Sequence, residues 1–581
     1  MRFVLAIVSF VIGVLLVGLG VGQRTVFAPP TSIVASATGT SSAPVTVIPG
    51  SVLNANPGYQ RITIHGSGKV FAAYGKTSDV DAWVGDAEHN TLRWDADSSS
   101  LRSRTSGSGS DLPDPRGSDL WYQEYDDADQ FTVRLPSDVS LVVTGNGSSA
   151  APSDISVTWP RDTATPSVGP LLTLGGLFVL GVIVLLIWAL LHQRRSRGPR
   201  RRSGGSRPPR VRASRRAAAA GAQVPARSRR GRRAFVAVPV LVAGALVLSG
   251  CSPDYWPHGG GDATATATPT AAATSAADPS ASVSATKQQI ARIVSRVAEV
   301  AAKADSDRDA DLAATRFAGP ALELRKANYA IRKADKGADA LPTIAADDVC
   351  VALPQQTTTW PRTVFVVVAA DCSDKKTAPQ ALTLVQQDAR SDYKVAYDVS
   401  LEADAQLPSL APTTIGAAAL PGNSPLLALS PDAVAPAYAD VLAKDTESSS
   451  ADLFASEGDD LRSRIGKAYK DKKAKDLPDT AKIEYSSETP DDAALALATN
   501  DAGALVSVDI DEIEKVTPTA DGAEVNTEGA VKALSGVDSS KKGVTATYGV
   551  QLLFSVPPVG SDDKTELLGF TQGLIAASEV S

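Results

Sequence analysis

Between Leu171 and Cys251 the chain reads apolar, then basic, then apolar again, and the pattern stops on a cysteine. Leu171 to Leu191 has one polar residue, Thr173, and as a helix is long enough to cross the ~30 Å hydrocarbon core of a bilayer. Gln193 to Arg233 holds 16 arginines, no lysine and no carboxylate. Ala234 to Gly250 is a further apolar run of 17 residues. An arginine-only segment between two apolar runs fixes sidedness, because basic loops stay on the cytoplasmic side. Trp188 sits at interfacial depth near the end of the first run, just ahead of His192-Gln-Arg-Arg.

The N-terminus obeys the same logic. Phe3 to Gly22 is interrupted only by Ser9, and Gly-Val-Gly-Gln-Arg makes a poor signal-peptide cleavage site. An uncleaved anchor is expected over residues 1–22, with a cleaved signal peptide as the alternative. The expected order is then an extracytoplasmic segment over 23–168, a transmembrane helix over 169–192 and a cytoplasmic, disordered arginine-rich loop over 193–233. Everything after Gly250 returns to the outside. Charge agrees: the net −7 becomes −7 − 16 = −23 once the loop is set aside. Acidic domains around one basic loop fit orientation and anionic lipid, so lipid is an expected partner and nucleic acid is not.

The run over 234–250 has two readings. Arg229-Arg-Gly-Arg-Arg233 precedes it, and Leu248-Ser249-Gly250-Cys251 closes it. A basic region, a short apolar region and small residues before a cysteine resemble the bacterial lipoprotein signal, and these four residues match its lipobox. The resemblance implies lipidation of Cys251 and scission before it. Its internal position departs from the family, whose signal lies at the N-terminus. The other reading is an ordinary third transmembrane helix. Residues 251–285 are rich in Thr, Ala, Ser, Pro and Gly and read as a disordered tether with a reach of roughly 30 Å.

Residues 23–168 show short alternating runs separated by Pro-Gly, Gly-Ser-Gly and Gly-Asn-Gly turns. The runs include Val45–Ile48, Arg61–Ile64, Lys69–Tyr74, Val80–Val84, Thr91–Trp94, Leu120–Tyr125 and Ser140–Val143. The spacing predicts an all-β sandwich, with Leu101–Gly117 as a mobile loop. Beyond the tether, Ile290, Ile293, Val294 and Val297 mark an amphipathic helix. Helices followed by strands then occur twice. The expectation is two α+β domains in series, 286–420 and 421–581, each with a curved antiparallel sheet. This element order resembles the nuclear-transport-factor-2-like fold of tethered bacterial lipoproteins. The whole layout, chiefly Phe71-Ala-Ala-Tyr-Gly75 through Asp81-Ala-Trp-Val-Gly-Asp86, resembles uncharacterised membrane proteins of actinobacteria.

Chemistry-bearing patterns are sparse. His65-Gly-Ser-Gly-Lys69 lacks the glycine and hydroxyl residue that a phosphate loop needs, with Thr63 and Val70 in their places. Asp79-Val-Asp81 and Asp509-Ile-Asp511 have the spacing of metal-holding carboxylates, but read best as solvated strand edges. Asp305, Asp307, Asp309 and Asp311 lack the glycine and glutamate of a calcium loop and read as an acidic helix start. No histidine follows His258, and no serine has a glycine two residues away on both sides. A Ser/His or Cys/His hydrolase in the C-terminal half is thereby excluded. Trp83, Trp94, Trp121, Tyr122, Tyr125 and Trp159 read as core, with a glycan-binding face as the alternative.

No catalytic residue, metal ligand or cofactor is expected. Cys350 and Cys372 are expected to form a disulfide across a hairpin centred on residue 361, which would put them opposite each other. The functional expectation is a non-enzymatic cell-envelope membrane protein that presents domains binding an envelope protein or glycan. A glycan-modifying transferase and a membrane adaptor acting through the arginine loop are the alternatives.

Overall fold

The computed structural model describes the chain except residues 1, 29, 38–41, 66–69, 128, 146–149, 153, 162, 197–281, 347, 375–376, 403–404 and 491–493. The run over 234–250, Cys251, most of the arginine loop and most of the tether therefore lie outside the described residues.

Two helices, Arg2–Thr25 and Val168–Ser196, are long and apolar enough to cross a membrane. They form an antiparallel pair, joined at one end by the Ser167 hydroxyl donating to Gln23 Oε1 at 3.0 Å. Glycines let them touch. A Cβ on Gly175 would lie 2.7 Å from Val17 Cγ2 and 3.0 Å from the Gly13 carbonyl oxygen, so only hydrogen fits there. Close approach through small residues is how helices associate where burial of apolar surface brings no gain. Most of the exposed large apolar side chains of the described residues lie on these two helices.

The segment from residue 34 to 157 belongs to the larger compact unit of the chain, with residues 273–581. Its strands are β1 (Ser32–Ala37), β2 (Val45–Ile48), β3 (Gln60–His65), β4 (Phe71–Lys76), β5 (His89–Asp95), β6 (Ser100–Ser106), β7 (Gln123–Asp126), β8 (Gln130–Val133), β9 (Val139–Thr144) and β10 (Asp154–Pro160). They build a four-stranded sheet, β1-β10-β3-β8, and a six-stranded one, β6-β5-β2-β9-β4-β7. The region is β-rich as expected, but not all-β. Thr77–Val84 is a helix, because Val80, Trp83 and Val84 fall at i, i+3 and i+4 and all three are buried. β2 runs parallel to β5. Part of the expected loop 101–117 is strand β6, paired to β5 over seven residues.

The C-terminal part departs further from expectation. β11 (Asp348–Pro354), β12 (Arg362–Ala369), β13 (Gln380–Gln386) and β14 (Lys394–Leu401) follow helices Lys287–Asp307 and Gly319–Ala334. The first helix starts on a capping box between Thr286 and Gln289, and the second has Pro320 in its first turn. β15 (Ala419–Leu420), β16 (Ala481–Glu488), β17 (Leu495–Ala498), β18 (Ala504–Pro518), β19 (Val525–Asn526), β20 (Ser539–Ser540), β21 (Val544–Val556) and β22 (Glu566–Glu579) complete the set. Instead of two sheets in series there is one ten-stranded sheet, β11-β12-β13-β14-β22-β21-β18-β17-β15, with β16 also on β18. The seam is the pairing of Ser400 with Phe570 and of Leu401 with Gly569. A Cβ on Gly569 would lie 2.4 Å from the Ser400 carbonyl oxygen, so the strands join at a glycine. Thr383 and Ser507 hydroxyls share a buried hydrogen bond of 2.8 Å across the two halves. The expected boundary at 420/421 is no gap, since Ala419 and Leu420 pair with Leu497 and Ala496.

Two local expectations also change. Residues 282–285 are docked, not tether: the Ser284 amide donates to the Gln355 carbonyl at 2.8 Å, and Ser284 and Ala285 are buried. Cys350 and Cys372 are bonded, with Cα atoms 5.4 Å apart. They are not opposite residues of a hairpin centred on 361. β11 pairs β12 through Pro354↔Val364 and Asp348↔Ala369, with a bulge at Cys350, and Cys372 lies beyond the last pair. The bulge turns the Cys350 side chain towards the loop that follows β12.

Candidate functional site

The Gly319–Ala334 helix lies against the sheet and carries Arg325 on its buried face, 2% exposed. A lone buried guanidinium is costly, and here two carboxylates compensate it. Arg325 Nη1 reaches Asp305 at 2.7 and 2.8 Å, and Nη2 reaches Asp398 of β14 at 3.3 Å. The Phe317 ring lies 4.1 Å from the guanidinium carbon. Tyr329 donates its hydroxyl to Asp305. Burial suppresses the charge of Arg325, yet Asp398 and Asp305 outweigh it and raise its pKa. Burial pushes the Asp398 carboxyl up, against the pull of Arg325. Gln551 of β21, 2% exposed, accepts from the Asp398 amide at 2.8 Å.

Arg325, Asp398 and Gln551 of this network floor a cleft of ≈ 420 Å³. Leu324, Leu341, Pro342 and Val368 give it apolar walls, and Asp371 and Asp374 stand in the loop after β12. Cys372 lies between those two aspartates, so its bond to Cys350 ties the rim loop back to β11. The lining has three carboxylates against one guanidinium, with Gln380, Gln551, Ser400, Thr343, Thr377 and Thr571 as further polar groups. Such a cleft receives donors, amines or hydroxyls, better than anions.

The residues that the sequence singled out fall in different places. Asp305 belongs to the Arg325 network and not to a helix start, whereas Asp309 does cap the Ala310–Ala314 helix. Asp79 is no solvated edge: it lies on the Thr77–Val84 helix, 2% exposed, and pairs with Arg362. Asp509, on β18, is 8% exposed and accepts from the Tyr397 hydroxyl at 3.2 Å. Burial, with Asp511 and Glu323 nearby, raises its pKa to about 6. It lines a second cleft of ≈ 340 Å³ with Asp432 and Thr489. No group of three or more His, Cys, Asp or Glu that could hold a metal occurs among the described residues. Trp83, Trp121 and Trp159 are at most 1% exposed and serve as core. Sequence reading missed Arg325, Asp398 and Gln551; a charged residue on the buried face of its helix was the available signal for Arg325, whereas Asp398 sits on the face of β14 opposite Tyr397 and Val399 and gave none.

A family model described as Domain of unknown function (DUF8094) matches residues 283–579, just over half the chain, which spans the ten-stranded sheet and its helices. No curated protein and no solved structure matches the chain.

Proposed function

The chain belongs to the DUF8094 family, and we propose that it is a membrane-anchored binding protein of the cell envelope, without catalytic activity of its own. In this reading the two apolar helices hold it in the membrane, the arginine loop faces the cytoplasm, and the folded mass lies outside. Lipidation at Cys251 would add a second anchor. The observation that carries the reading is the cleft over Arg325. Its floor carboxylate, Asp398, is committed to an ion pair with Arg325, which suits a rigid recognition floor better than proton transfer. Its surplus of acceptors suits a small ligand bearing hydroxyl or amine groups, the chemistry of an envelope saccharide. The transferase alternative draws no support from Asp79, which Arg362 occupies.

The test is an array of envelope saccharides, amino sugars included, probed with the full chain in detergent. Saturable binding is expected, lost in Ala378→Trp, which adds bulk to the cleft lining at a residue that takes no part in the Arg325 ion pairs. Absence of saturable binding, or binding unaffected by Ala378→Trp, overturns the assignment of this cleft.

A further inference from the structure

The surface between residues 34–157 and residues 282–581 is built like a subunit interface and not like a domain linker. Its apolar centre is one cluster: Trp83, Val84, Leu120 and Trp121 from the first segment pack with Ala389 and Trp360 from the second. Around it, buried charges of one side are matched by the other. Arg362, 0% exposed, grips both oxygens of Asp79 at 2.7 and 3.1 Å. Asp119, with its side chain fully buried, receives Arg316 at 2.5 Å, Arg296 at 3.2 Å and the Tyr393 amide at 2.9 Å. Arg390 donates to the Trp83 and Val84 carbonyls at 2.9 and 3.0 Å. Gln289, which caps its own helix, also donates to the carbonyls of Asp119 and Leu120 at 3.1 and 2.9 Å.

Removing the first segment would strand Arg362 at the surface without its carboxylate and would open the Trp83–Trp121 cluster to water. Buried complementary pairs around an apolar centre are what hold separate chains together. We infer that residues 34–157 are a docked partner of the DUF8094 region and that this docking needs no covalent connection through residues 197–281. The pair is a two-part assembly written as one polypeptide. Scission between Gly250 and Cys251, which the lipobox resemblance implies, would leave the parts joined, one held by the helix pair and the other by lipid.

The experiment uses the full chain in mild detergent, tagged at its C-terminus, with a protease recognition sequence placed among residues 255–265. After complete cleavage the N-terminal fragment should stay on the affinity resin through a high-salt wash. Asp79→Arg with Asp119→Arg should lower retention at least about tenfold, the order expected when buried interface charges lose their partners. Reversing Arg362 as well, to Asp, should recover part of the loss to Asp79→Arg alone, which separates lost docking from lost folding. Wild-type halves that part after cleavage overturn the inference. So does retention that ignores both aspartate reversals, or an Arg362→Asp reversal that rescues nothing.

Discussion

Arg362 and Asp79 stand 283 positions apart in sequence and meet through two hydrogen bonds at a site where both side chains are at most 3% exposed. The Trp360 ring covers the guanidinium at 3.8 Å. Asp79→Ala would leave a buried arginine without its carboxylate, a loss of about 3–5 kcal/mol. Replacing both residues by apolar ones, Asp79→Leu with Arg362→Met, should cost less than the single change. Denaturant unfolding of the two variants checks the order, and a double variant weaker than the single one would refute it.

Asp509 gives the fold a pH dependence. Its folded pKa of about 6 lies above the ordinary 3.8, so folding favours the protonated form. The stability this contributes is fully present below about pH 4 and is lost as pH rises through about 6. Asp509→Asn should therefore be more stable than wild type at neutral pH, by about 3 kcal/mol, and the difference should vanish near pH 4. Asn can still accept the Tyr397 hydroxyl. Thermal unfolding at both pH values reads it; a variant less stable at pH 7.5 would contradict the burial argument.

The Cys350–Cys372 bond closes a loop of 22 residues that carries one aspartate of the cleft rim, Asp371, and anchors the chain just ahead of the other, Asp374. Cys372→Ser should destabilise by about 3 kcal/mol through the unfolded chain. Hydrogen exchange should rise first in 370–379 and in β11, before the rest of the sheet responds. Uniform acceleration across the sheet would show that the bond acts globally instead of at the rim.

Gly175 and Gly13 set the spacing of the two long apolar helices. Gly175→Leu should force them apart, because a Cβ there already meets Val17 and the Gly13 carbonyl. Cysteines placed at Gln23 and Ser167, which hydrogen-bond in the native pair, should cross-link efficiently in the parent and several-fold less in the variant. Equal cross-linking in both would mean the helices do not pack through these glycines.

Sequence alone determined the parts whose physics is local. Helices Lys287–Asp307 and Pro431–Lys444 follow from apolar spacing and first-turn residues, and β21 is legible end to end as an alternating run from Val544 to Val556. The two apolar helices are legible from length and hydropathy. Local reasoning failed where spacing was ambiguous: Val80 to Val84 suits either a strand or one turn of helix, and burial of Val80, Trp83 and Val84 chose the helix. Tertiary structure alone decided what joins distant residues. Gly569 looks like a strand weakness in sequence, and is the one residue type that lets β22 close on β14. Asp79 looks like half of a metal pair, and is the partner of an arginine at the start of β12. Arg325, Asp398 and Asp305 come from three elements and became one ion-pair network because a buried charge is tolerated only where its opposite charge arrives with it, and which residues arrive together is set by packing, not by order along the chain.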